Sequence, residues 1–112
     1  MLRRVRNWAE RRAAWYYRLR GYRVLDMNVW VGGNEIDLVA RRGSRLVVCE
    51  VKSKGGLRHG APAEMVGPEK ERRLRRAAET FLASRPDLAG LEVRFEVVAV
   101  SAGRLTRIRD AF

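Results

Sequence analysis

Asn34-Glu35-Ile36-Asp37-Leu38-Val39-Ala40, followed across Gly43-Ser44 by Leu46-Val47-Val48-Cys49-Glu50-Val51-Lys52, is the stretch on which the fold turns. Both runs alternate as strands do, and both set acids among apolar residues. Gly43-Ser44 is a two-residue loop with Gly first, which closes the runs into an antiparallel hairpin whose opposed residue numbers sum to 87. Asp37 then faces Glu50, and Glu35 faces Lys52. Opposed side chains have Cβ atoms roughly 4.5–5.5 Å apart, and like charges placed there destabilise a sheet unless something offsets them. A divalent cation would do so, and hard oxygen ligands suit Mg²⁺ or Mn²⁺. Lys52 lies two residues beyond Glu50 on the same face. Asp, Glu and Lys are thereby gathered as metal-assisted attack on a phosphodiester requires. The competing reading is a solvated sheet face with cross-strand ion pairs, and a slip of one residue would carry Asp37 to the other face.

Residues 1–112 are long enough for one domain with a real core and too few for two. The net charge of +11 makes nucleic acid the leading partner class and an anionic membrane the weaker one. No apolar run approaches the ~20 residues of a membrane span, and the opening residues do not read as a signal peptide, so a cytoplasmic protein is expected. One Cys and one His cannot build a zinc cluster. Cys49 alternates away from Glu50 and is expected to act as a small buried hydrophobe. Arg outnumbers Lys by 21 to 3, so the scarce lysines inform more. Lys52 and Lys70 fall where a compact ammonium is useful, a role guanidinium does not fill.

Residues 3–20 lack Gly and Pro, and Val5, Trp8, Ala9, Tyr16 and Leu19 follow helical spacing up to Gly21. Trp8, Trp15, Tyr16 and Tyr17 can stack on bases, but the spacing favours a core face. Glu10 at the flank of this stripe points either toward the sheet edge or into an exposed ion pair with Arg6. Tyr22 to Val31 reads as a first strand turned by Gly32-Gly33 into the hairpin, giving a three-stranded meander. Ser53 to Gly67 is a polar, Gly-rich loop, and Lys54, Arg58 and His59 make it either a substrate-gripping segment or a plain connector.

Pro68 suits the first position of a second helix whose inward stripe is Leu74, Ala77, Ala78, Phe81 and Leu82. Lys70, four residues before Leu74, begins that stripe and should sit over the acidic end of the sheet. Arg72, Arg73, Arg75 and Arg76 form a belt that either contacts phosphates or is simply solvated. Val93 to Val100 and Leu105 to Arg109 read as two further strands, the first parallel to its neighbour because a long helix leads into it. The whole is an α/β fold: a mixed sheet, antiparallel meander plus a parallel strand, flanked by helices.

Gly33-Asn34-Glu35-Ile36-Asp37-Leu38-Val39-Ala40 with Val48-Cys49-Glu50-Val51-Lys52 resembles the YraN family, also called uncharacterised protein family 0102. Trp8-Ala9-Glu10 with Ala13, Tyr17, Gly21-Tyr22, Asn28, Lys70, Arg94-Phe95-Glu96-Val97-Val98 and Ala111-Phe112 extend the likeness over nearly the whole chain. Asn34 stands where the family usually has Gly, and Glu96 where it often has Asp. The family is similar to the PD-(D/E)xK nucleases, above all to archaeal Holliday-junction resolvases, which implies a restriction-endonuclease-like fold and a Mg²⁺- or Mn²⁺-dependent nuclease site. Carried over by position, Asp37, Glu50 and the carbonyl of Val51 would hold metal, Lys52 would orient water or stabilise charge, and Glu10 would be the helix acid near the metal. Lys70 follows as a further site residue. Resolvases act as symmetric dimers, so a homodimer is implied, although no stripe in the sequence marks its surface.

Three functions compete on these residues. An endonuclease on DNA, including branched or junction DNA, uses the acids and Lys52 catalytically. A non-catalytic nucleic-acid-binding module uses only the basic surface. An accessory domain for a protein or ribosomal partner leaves the opposed acids unexplained.

Overall fold

The computed structural model describes residues 8–53 and 67–112. Its order is α1 (Trp8–Leu19), β1 (Arg23–Val31), β2 (Asn34–Arg42), β3 (Arg45–Ser53), α2 (Pro68–Ala83), a 3-10 turn (Pro86–Leu88), β4 (Glu92–Ser101) and β5 (Arg104–Ile108). The strands form one sheet in chain order, with β3 and β4 parallel and every other pair antiparallel. One parallel pair in an otherwise antiparallel sheet, with a helix on each face, is the mixed α/β arrangement of a restriction-endonuclease-like fold. Among the described residues, no helix is long and apolar enough to cross a membrane.

The central hairpin has the expected register, since Leu38 pairs with Cys49, Val39 with Val48 and Arg42 with Arg45. Gly43 turns it with φ 61°, a conformation that costs glycine nothing. Gly32 turns the preceding hairpin, and a Cβ there would stand 3.1 Å from Ala77 Cα, so this turn can lie flush on α2 only as glycine.

Two apolar layers fill the molecule. Met27, Leu38, Ala40, Val47, Cys49 and Val98 pack with α1, whereas Ile36, Val39, Leu46, Val48 and Phe95 pack with α2. Strict alternation would put Ile36 on the face of Leu38, and Val29 on the face of Met27; instead both join the α2 layer. The pleat is interrupted at Asp37 and, across from it, at Asn28, which sits between the pairs Met27–Leu38 and Val29–Ile36 with φ 52°. A left-handed residue of this kind re-aims the chain locally. The interruption falls where the recorded β2–β3 ladder ends, at Leu38–Cys49, so Asp37 lies just outside it.

Helix α1 departs from the apolar stripe expected of it. Its buried face is Ala9, Glu10, Ala13, Ala14 and Tyr17, while Trp8, Trp15 and Leu19 are 55%, 59% and 77% exposed. The small alanines bring the helix close to the sheet and leave no room for indole rings. The tryptophans turn outward beneath guanidinium groups, Arg12 lying 5.8 Å from the Trp8 ring and Arg18 5.5 Å from that of Trp15. Tyr17 anchors the helix through a 2.6 Å hydrogen bond from its hydroxyl to Glu96 Oε1 on β4. Glu10 is seven residues earlier, two turns along the same face, and is thereby held against the sheet. Val5 and Arg6 lie outside the described residues.

Candidate active site

Asp37, Glu50 and Glu10 are buried, at 7%, 5% and 2% exposure, yet all three reach one cleft of about 270 Å³. β2 supplies Asn34, Glu35 and Asp37, β3 supplies Glu50 and Val51, α1 supplies Glu10 and α2 supplies Lys70. The exposed ring of Trp30, at the end of edge strand β1, completes the rim.

Where the ladder stops, side chain replaces main chain as partner. The Val51 N–H donates to Asp37 Oδ2 at 2.8 Å, bridging the two strands. The N–H and C=O of one extended residue point to the same side, so the Val51 carbonyl is also directed toward β2 and the cleft. Glu50 stands on the α2 face, where its Oε2 accepts Lys70 Nζ at 2.8 Å and Lys52 Nζ at 3.2 Å. Lys52 turns to Glu50 along its own strand, Glu35 has Trp30 as its partner on β1, and the β2–β3 pairing runs from Leu38–Cys49 to Arg42–Arg45.

Burial pushes the Asp37 carboxyl up to about 7, reinforced by the negative charge of Glu50, with the Val51 N–H opposing and Glu10 and Glu35 adding to the rise. Burial disfavours the Lys70 ammonium, but its hydrogen bond to Glu50 and the charges of Glu50 and Asp37 outweigh that and raise its pKa. A carboxyl with a perturbed pKa in a cleft, beside lysines on a second carboxylate, is a pattern of functional sites.

The donor set fits a hard divalent ion. Among the described residues no three His, Cys, Asp or Glu side chains are arranged to hold a metal by themselves. Mg²⁺, however, commonly takes only one or two carboxylates, keeping water and substrate phosphate in its remaining positions. Asp37, Glu50 and the Val51 carbonyl offer two carboxylates and a neutral oxygen.

A model of the uncharacterised protein family UPF0102 matches residues 9–100, a span that contains every group placed in the cleft. The chain belongs to UPF0102, the YraN family. A UPF0102 protein of Symbiobacterium thermophilum is 42% identical over 112 aligned residues, covering 97% of this chain and 92% of its relative. One of Syntrophotalea carbinolica is 44% identical over 94 residues, covering 84% and 76%, and one of Persephonella marina 34% identical over 103 residues, covering 92% and 88%.

Within this UPF0102 chain the structure gathers Glu10, Asp37, Glu50, Val51, Lys52 and Lys70 around one point and leaves Arg73 out. Arg73 is exposed on α2 and bonded to Glu69 one turn back, at 2.7 Å. Lys54, Arg58 and His59 lie outside the described residues. Sequence reasoning passed over Trp30, a strand-forming residue by composition, which enters the rim because it pairs with Glu35. It also left Asn28 without a structural part; the φ 52° of Asn28, opposite Asp37, is a signal that the liking of Asn for left-handed backbone makes readable.

Proposed function

We propose that this chain is a metal-dependent endonuclease that hydrolyses phosphodiester bonds in DNA, with branched or junction DNA the first substrate to try, and that it works in the cytoplasm. The observation that carries the proposal is the convergence of Asp37, Glu50 and the main chain of Val51 on one cleft, with two lysines on Glu50. Asp37, Glu50 and the Val51 carbonyl would hold Mg²⁺ or Mn²⁺. When bound, such an ion supplies charge neutralisation at a phosphate and eases ionisation of water near neutral pH.

The protein's own groups have separate tasks. Asp37, tied to the Val51 N–H, is fixed in orientation before any substrate arrives. Lys52, beside Glu50, is placed to orient the attacking water or to balance negative charge growing on the phosphate oxygens. Lys70, at the first turn of α2, can exchange Glu50 for a phosphate oxygen of the incoming strand. Glu10 adds a carboxylate from the opposite wall, where it can order water by hydrogen bonding.

A second reading, a nucleic-acid-binding module without catalysis, draws on the same ion pairs, since two lysines balance the Glu50 carboxylate. Cleavage of labelled single-stranded, duplex, flapped and four-way-junction DNA with Mg²⁺ or Mn²⁺, for wild type, Asp37→Ala and Lys52→Ala, separates the two. The nuclease reading expects products from wild type and none from either variant, with binding retained in both. Tight, salt-sensitive binding without products at any metal concentration would favour the module.

A further inference from the structure

At the other end of β1 and β2 lies a second cleft, of about 280 Å³, whose lining includes Arg23, Arg41, Arg42 and Arg85. Four arginines line it beside a single lining acid, Asp87. Arg23 and Arg41 are direct cross-strand partners, so like charges are opposed in the sheet, a placement that destabilises it unless an anion offsets them. Arg41 is half-buried, which adds a desolvation cost.

Three of the four side chains are already held in position. Arg41 Nε donates to the Gly43 carbonyl at 2.9 Å. Arg42 lies 4.8 Å from the Tyr22 ring and donates through Nη1 to the Arg20 carbonyl at 2.9 Å. Arg85 grips Asp87 with Nε and Nη2 at 3.0 and 2.9 Å. The hydrogen-bond partners of Arg41 and Arg42 are neutral carbonyls, and Asp87, gripped by Arg85, also feels the charge of Arg41, so one carboxylate is set against four arginines. Asp26 lies close enough to Arg85 to affect it but does not line the cleft. Pre-positioned planar forks with surplus positive charge match phosphate oxygens.

We propose that this arginine-lined cleft is a phosphate-binding site that grips the backbone of a nucleic acid whose neighbouring segment enters the acidic cleft. The choice of ligand rests on the nuclease reading; the anion site itself stands on the arginines. Arg23 and Trp30 line the two clefts from opposite ends of edge strand β1, seven residues apart, or roughly 20 Å. That is about six nucleotide steps of a B-form duplex, so an arm of DNA spans both. The arginines would supply affinity and register, leaving the acidic cleft, which repels phosphates, to meet only the strand it acts on.

The test is binding of a 20-base-pair DNA duplex in EDTA over a salt series, which requires no cleavage and so stands or falls apart from nuclease activity. Arg23→Gln/Arg41→Gln is compared with Arg104→Gln/Arg109→Gln, an equal loss of charge on the opposite sheet edge. The cleft variant should lower the slope of log K against log salt by about 2, as two lost phosphate contacts would, and the control by less than 1. Equal losses in the two variants would overturn the proposal. Inorganic tripolyphosphate should raise the melting temperature of wild type and of the control more than that of the cleft variant. Loss of the tripolyphosphate effect with DNA binding intact would reject nucleic acid as the ligand. Because the cleft substitutions relieve an opposed like-charge pair, the unliganded variant should melt no lower than wild type in low salt. A lower melting point would contradict the strain on which the site is argued.

Discussion

Glu96 and Asp37 are carboxylates buried in the same sheet, and their surroundings are opposite in kind. Glu96 accepts the Tyr17 hydroxyl at 2.6 Å and Arg107 through Nε and Nη2 at 2.8 and 3.0 Å, and Arg107 in turn reaches the Tyr22 hydroxyl at 3.2 Å. One anion and one cation are matched by hydrogen bonds and flanked by aromatic rings. Burial raises the pKa of Tyr17, and the anionic Glu96 beside it adds to the rise, so the phenol stays a donor. Asp37 instead has other carboxylates for neighbours, and its pKa climbs. The difference separates a buried charge that is matched within the fold from one that is not, and on the nuclease reading proposed above the second is the one kept for a cation from outside.

Mutating the two carboxylates should break this comparison cleanly. Asp37→Asn is expected to lower metal-dependent cleavage by roughly 10³-fold, the scale of losing a group aimed at transition-state charge, while leaving the unfolding midpoint at pH 7.5 unchanged or raised. Glu96→Ala should do the reverse in kind, stranding a buried guanidinium at a cost of about 3–5 kcal/mol in urea unfolding. If Asp37→Asn were the more destabilising of the two, the division of roles would fail.

Smaller changes sharpen it. Lys70→Ala removes one of the two ammonium groups on Glu50 and should reduce cleavage about tenfold, with a smaller effect on duplex binding in EDTA. Tyr17→Phe should cost about 1 kcal/mol of stability by deleting one hydrogen bond to Glu96, with a secondary fall in activity because α1 carries Glu10.

A further test lies in pH. The folded Asp37 titrates at about 7 against an ordinary 3.8, so between those values the folded protein retains a proton that the unfolded chain has lost. Its contribution is therefore present at low pH, declines as pH rises from about 4, and is gone above about 7. Urea midpoints measured in EDTA from pH 4 to 8 should show this decline in wild type and a flatter profile in Asp37→Asn. Parallel profiles would show that Asp37 is not the group responsible.

Much of this was readable from the chain. The register from Leu38–Cys49 to Arg42–Arg45 followed from Gly43-Ser44, because a two-residue turn leaves the strands no other alignment. Lys70 was placed over the acids by helical periodicity alone. The outward tryptophans of α1 were not readable, because apolar spacing cannot say that alanines bring a helix too close for indoles. Nor was the break in alternation at Asn28 and Asp37, which depends on two strands bending together. The arginine cleft was hidden for the same reason: in a chain with 21 arginines, only the pairing of β1 with β2 and the 3-10 turn beyond α2 singles out four.

The most direct measurement is a calorimetric Mn²⁺ titration of wild type and Asp37→Asn at pH 7.5 without DNA, with melting temperatures taken on the same samples. The acidic cleft as a divalent-cation site predicts saturable binding and a raised melting temperature in wild type, both lost or strongly weakened in the variant. Binding that is equal in the two proteins, or absent from both, would contradict it.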